Sequence, residues 1–275
     1  STDGATWIQA PVNTVGPNTY SALFTIYGGQ QYVSIRINAT DSENLKSSVT
    51  VIRGFYVEPI TVITVGPPGS GANFTSLRDA VANVPPNARI VVLPGTYEEG
   101  IITIDKPLTI VSNTSASDVV IRGFIPFYIT NSHVVIRGLT IQGNYIGILS
   151  AKSSVEVDES IITGEVGILS LDSSITIINS TILQCSKDGV ALFGNSNATI
   201  INSALTRNSG AGLLIAESAS AVVIDSEVSE NGWGILLFDK ASLNIQKSVI
   251  HSNNFEGIAL LNGSIKVESS SIYNN

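Results

Sequence analysis

The chain has 275 residues, a net charge of −8, and 43% hydrophobic against 13% charged residues. That is apolar enough to fold around a core. It lacks the clustered Lys and Arg that nucleic acid or an anionic membrane surface would require, and no apolar run reaches the roughly 18 residues of a membrane span. The single cysteine, Cys185, excludes an internal disulfide.

Residues 1–65 read as a small β-rich module. Tyr20 to Tyr27, Gln31 to Ile37 and Ser48 to Arg53 alternate as strands do, with Gly28-Gly29 as a hairpin turn between the first two. The module is too short for a complete immunoglobulin-like sandwich. Val65-Gly-Pro-Pro-Gly-Ser-Gly71 reads as a linker into a second domain over 66–275. A short helix is predicted next. Thr75 or Ser76 is its N-cap, Leu77, Ala80, Val81 and Val84 form one apolar stripe, and Pro85-Pro86 stops it. Such a helix suits the open end of a solenoid as a plug. Two strand-like runs follow, Arg89 to Leu93 and Ile101 to Ser112.

From Val134 onward the chain repeats. Gly147, Gly167, Gly189, Gly212, Gly234 and Gly257, each followed by an apolar residue, lie 20, 22, 23, 22 and 23 residues apart. A serine column runs with them: Ser160, Ser180, Ser203, Ser226, Ser248 and Ser270. Two residues on comes an apolar column: Ile162, Ile182, Leu205, Val228, Ile250 and Ile272. An asparagine column follows at Asn208, Asn231, Asn253 and Asn275, with Glu165 and Cys185 as exceptions. Within each period the runs alternate at period two and are separated by Ser, Asn, Gly and Asp, so they are short strands joined by turns. Three such strands and three turns fill one coil of an all-β parallel β-helix. Each column then becomes a ladder in space, with the serine and apolar ladders facing inward and the asparagines lining one turn.

This coil resembles the right-handed parallel β-helix repeat of the pectin-lyase-like superfamily. The order helix, strand, Pro94-Gly-Thr-Tyr-Glu-Glu99, strand, Lys106-Pro-Leu-Thr-Ile110 is similar to the opening of pectinesterases. Gly95, Tyr97 and Glu99 match the Gly-x-Tyr-x-Glu element, which the resemblance implies shapes the first coil. The resemblance implies no activity here. The Gln-Asp-Thr and Asp-Phe-x-Phe-Gly segments that carry pectinesterase catalysis are missing: Leu192-Phe-Gly194 lacks the aspartate. His133 and His251 lack the neighbours a polygalacturonase would need.

Several residues remain as candidates. Glu217 and Asp239 occupy one column in adjacent coils and could share a Ca²⁺ ion or a proton; otherwise no cofactor is expected. Lys152 and Asn262 in the same column favour a plain turn. Asp225 and Lys247 are expected to form a cross-coil ion pair. Trp233, Phe255, Tyr145 and Tyr273 could stack on sugar rings or pack over the turn. Asn38, Asn73, Asn113, Asn179, Asn197 and Asn262 begin glycosylation sequons, about as many as chance supplies. Cys185 reads as a partly buried turn residue.

Coils of nearly constant length leave no long loops to wall a cleft, except in the irregular stretch from Ser112 to His133. The expected function is therefore a non-enzymatic structural or adhesive protein, with a carbohydrate-active or polysaccharide-binding β-helix as the alternative. The fold resemblance and a first residue other than methionine point to an extracellular or cell-surface location. A final coil without a cap and an incomplete N-terminal module point to head-to-tail association with other copies into a filament or layer.

Overall fold

The computed structural model describes residues 60–275 in full and, before them, the backbones of four strands. Two units result, Ser1–Ile60 and Thr61–Asn275. In the first, Val12–Gly16 pairs antiparallel with Thr19–Ala22, and Tyr32–Thr40 with Lys46–Tyr56. The sequence reading misses the first of these strands. It also pairs the second with the third, whereas the described pairings fall one step to either side. The expected turn at Gly28-Gly29 lies outside the described residues.

The second unit is a parallel β-helix of about eight turns, built from sheets of ten, nine and eight strands. Each coil contributes one strand to each sheet. In one coil, Ser154–Asp158 lies in the first sheet, Ile161–Thr163 in the second and Val166–Leu171 in the third; Ser174–Ile178 then returns to the first. The solenoid begins earlier than the expected domain boundary. Val62–Val65 pairs parallel with Ala88–Val92, and the Gly/Pro stretch after it folds back so that Gly66 donates to the Phe74 carbonyl. That stretch is a loop of the solenoid, not a linker before it. Nor is Ser112 to His133 irregular: a short 3₁₀ turn, Ala116–Asp118, leads into regular strands Val119–Gly123 and Ile125–Thr130.

The predicted columns are ladders. Ile162, Ile182, Leu205, Val228 and Ile250 stack in register in the second sheet with no exposed surface. Burying such a side chain contributes roughly 1.5–3 kcal/mol. The serines of the predicted column are satisfied from coil to coil. The Ser180 hydroxyl accepts from the Ser160 amide, Ser203 from Ser180, Ser226 from Ser203 and Ser248 from Ser226, each at 3.1 Å. Each hydroxyl in turn donates to the carbonyl two residues before it, as Ser203 does to Ile201. A buried hydroxyl with both roles filled costs little.

Each serine follows a bend made by one left-handed residue. Glu159, Asn179, Asn202, Asp225 and Lys247 all have φ between 46° and 49°. This corner turns the chain from first to second sheet. The corner from second to third sheet is made the same way, with Arg207, Glu230 and Ser252 ahead of the asparagines. There Asn231 Oδ1 accepts from the Asn208 amide at 3.0 Å and from its Nδ2 at 2.9 Å, and Asn253 Oδ1 accepts from Asn231 at 3.0 and 3.1 Å.

The predicted helix, α1 (Leu77–Asn83), has Ser76 as its N-cap and packs against Ile101–Ile104 and Val62–Val65. Leu77, Ala80, Val81 and Val84 are all buried, so α1 covers the first coil as the stripe predicts.

Candidate functional site

Side chains that hold the solenoid together are not available for chemistry, and several candidates prove to be of this kind. Cys185 takes an asparagine-ladder position: it is buried, and its amide donates to Asn208 Oδ1 at 3.0 Å. Burial pushes its thiol up to about 12. The folded protein should therefore resist a disulfide-exchange reagent at pH 8 while the denatured chain reacts fully, because only the thiolate attacks. Rapid stoichiometric labelling of folded protein would contradict this. Glu165, the other exception, forms an ion pair with Lys187. Tyr97 donates to the Leu93 carbonyl at 2.7 Å, and Glu99 accepts from the Ser76 hydroxyl and from the amides of Leu77 and Arg78, so the Gly-x-Tyr-x-Glu element serves the first coil.

Glu217 and Asp239 are exposed residues with φ of 63° and 57° at the corner from third to first sheet. Glu217 does not turn toward Asp239. Its carboxylate accepts from the Gly194 amide of the preceding coil at 2.6 Å. Among the described residues, no three His, Cys, Asp or Glu side chains converge as metal ligands. The same corner carries a second serine ladder that the sequence reading misses: Ser173 Oγ accepts from Ser153 at 3.0 Å, and Ser196 Oγ from Ser173 at 3.2 Å. Its signal was present in the spacing, but it ends in Ala219 and Ala241, which fill the same buried position with methyl groups.

The outer face of the second sheet is different. His251, which lacks polygalacturonase-like neighbours in the sequence, places Nε2 3.2 Å from Glu227 Oε1 and Nδ1 3.0 Å from Ser252 Oγ. Glu227 also accepts from Ser229 Oγ at 2.6 Å. The His251 ring stacks on Tyr273 at 5.3 Å and 7°. Asp225 and Lys247, expected to pair, occupy the same bend position in adjacent coils but are not within ion-pair distance; on this face Glu227 lies against His251, and Arg122 pairs with Glu98 nearer the N-terminal end. Beside them runs an open groove of about 510 Å³ that crosses four coils.

The four candidate aromatics do not form one cluster. Trp233 stacks on Phe255 at 4.6 Å, Tyr145 stacks on Phe124 at 5.3 Å, and Tyr273 joins His251. The first two stacks stand on the corner from second to third sheet. Phe255 is 55% and Phe124 54% exposed, so neither is needed as core. Asp188, on the same corner, accepts from the Ala211 amide at 2.7 Å, and burial holds its carboxyl above the usual range. Of the sequon asparagines, Asn73, Asn113, Asn179, Asn197 and Asn262 are exposed, while the side chain of Asn38 lies outside the described residues.

Residues 99–275 match the family described as the right handed beta helix region. The chain belongs to that family. Among solved structures, this β-helix is similar to the pectate lyase Pel9A, with 16% identity over 80% of this chain and 78% of that one and a TM-score of 0.59. It is also similar to the pectin methylesterase of Aspergillus niger, with 14% identity over 79% and 87% and a TM-score of 0.58. A third is the catalytic unit of the α-1,3-glucanase of Streptomyces thermodiastaticus, with 17% identity over 83% and 56% and a TM-score of 0.56. Identities this low show a shared β-helix fold alone. No curated protein matches the sequence. No helix among the described residues is long and apolar enough to cross a membrane.

Proposed function

We propose that this β-helix protein binds a polysaccharide at the cell surface or outside the cell and does not cleave it. The carrying observation is the stack of Trp233 on Phe255. Phe255 is 55% exposed, and its ring lies 4.6 Å from that of the half-buried Trp233, at 29° to it, on the corner from second to third sheet. Aromatic faces fixed in this way suit the apolar faces of sugar rings. The fold is shared with polysaccharide-active enzymes, which supports the choice of ligand class. Binding without cleavage is favoured by what the carboxylates do: Glu99, Asp188 and Glu217 each accept backbone N–H groups, and Glu227 accepts from Ser229 and lies against His251. From Gly147 to Gly257, coils of 20 to 23 residues also leave no loop to enclose a reacting bond. The head-to-tail assembly reading gains no support from the described residues.

The test is affinity electrophoresis and calorimetry against a panel of soluble polysaccharides, with assays for released reducing ends, unsaturated uronides and methanol. Retardation by at least one polymer without product release is expected. Trp233→Ala should weaken binding about fivefold, the loss of about 1 kcal/mol of stacking. Product above buffer background, or no retardation by any polymer, would sink the proposal.

A further inference from the structure

We infer that the groove on the outer face of the second sheet is the seat of that polysaccharide, and that it takes a neutral glycan laid along the solenoid axis. The inference rests on the binding function proposed above and adds a place and a chemical class.

The groove is a product of the repeat. Its rim is the bend column Asn179, Asn202, Asp225 and Lys247, one residue from each of four coils. Its floor is the outward strand column, where Thr181 and Ala204 are small and Glu227 and Val249 are large. Two short side chains in succession leave the hollow. Four coils at about 4.8 Å give a trough about 14 Å long, and each coil advances by a length comparable with one sugar unit of an extended glycan. His251 and the ring of Tyr273 stacked on it stand at the C-terminal end. The Trp233–Phe255 stack belongs to the same two coils as Glu227 and His251. It lies across a strand of only three residues, so about 10 Å separates the aromatic corner from the bend column.

The chemistry of the lining selects the ligand. Amides, hydroxyls and carboxylates bond sugar hydroxyls, which both donate and accept. Asn202 Nδ2 already donates to Asn179 Oδ1 at 2.7 Å, so the two amides are held in place before any ligand arrives. Two carboxylates, Asp225 and Glu227, line the groove with one ammonium, Lys247, and with His251, which already lies against Glu227. No cation is in surplus to receive a carboxylate from every sugar of a uronate polymer. The chain as a whole carries −8, which repels such a polymer further. A neutral chain escapes both costs.

The test uses the whole chain and calorimetric titration with linear β-glucan and mannan oligosaccharides and with polygalacturonate. A neutral oligosaccharide should bind and polygalacturonate should not. Ala204→Trp fills the hollow from an outward position. It should weaken neutral-glycan binding about tenfold, a loss of the order expected when hydrogen bonds to the groove are blocked, while circular dichroism and the melting temperature stay those of the parent. If Ala204→Trp does not fold, Thr181→Tyr makes the same test one coil away. Neutral binding that survives a filled groove but is weakened by Trp233→Ala would overturn the groove while leaving polysaccharide binding standing. Polygalacturonate binding through the groove would overturn the ligand class. Failure of every polymer would remove both proposals.

Discussion

Val228→Asp should yield a chain with no cooperative unfolding transition. Val228 has no exposed surface and lies between Leu205 and Ile250 in a continuous apolar column. The substitution forfeits roughly 2 kcal/mol of burial and sets an unpaired carboxylate in a dry wall, a penalty of several kcal/mol even after its pKa rises to meet it. A domain has about 5–15 kcal/mol in total, so the loss is of the same order as the whole. Position matters more than residue type. Val222, on an outward half-buried position of the neighbouring sheet, should accept aspartate with a melting transition close to the parent's. Thermal melts followed by circular dichroism compare the two. A Val228→Asp protein that melts like the parent would mean that the register of the second sheet is wrong.

The contrast between these two valines shows why the solenoid was legible in the sequence. A ladder demands the same chemistry in every coil, so Ser180, Ser203, Ser226 and Ser248 had to recur, as did Asn208, Asn231 and Asn253. Regular repetition is the signal that the eye finds. What was illegible breaks the period or depends on backbone alone. Glu159, Asn202, Asp225 and Lys247 share one left-handed conformation but no side-chain chemistry, so no residue type marks their column in the sequence. Glu227 and His251 meet once, diagonally across two coils, and no column announces them. Phe124 stacks on Tyr145, but it lies in the stretch from Ser112 to His133, where the sequence shows no regular period to match the two. Glu217 and Asp239 show the opposite error. Sharing a column places their backbones together, but Glu217 turns to the coil behind it, so stacking positions do not by themselves make a cation site.

The capping helix offers the second large effect, through a residue whose hydrogen-bond partners only the structure reveals. A helix of seven residues is marginal on its own. Glu99 holds α1 from outside: 6% exposed, its carboxylate accepts from the Ser76 hydroxyl and from the Leu77 and Arg78 amides. Ser76 Oγ accepts from the Asp79 amide at 3.2 Å, and Lys106 Nζ donates to the Val84 carbonyl at 2.7 Å at the other end. Glu99→Ala leaves the first-turn donors without their acceptor. Each orphaned buried donor costs about 1–3 kcal/mol, and a total of about 3 kcal/mol is expected once water has reached part of the site. Glu99→Gln keeps an acceptor oxygen without the charge and should fall between alanine and the parent. Because each coil of a solenoid contacts only its neighbours, the damage should stay local. Hydrogen exchange should therefore speed up at the Ala80 and Val84 amides, which close α1 by donating to the Ser76 and Ala80 carbonyls. The Ser203 and Ser226 amides, deep in the serine ladder, should keep the parent's protection. Unchanged exchange at Ala80 and Val84 in Glu99→Ala would show that packing alone holds the plug, whereas equal acceleration at Ser203 and Ser226 would show that the first coil and the repeats unfold as one unit.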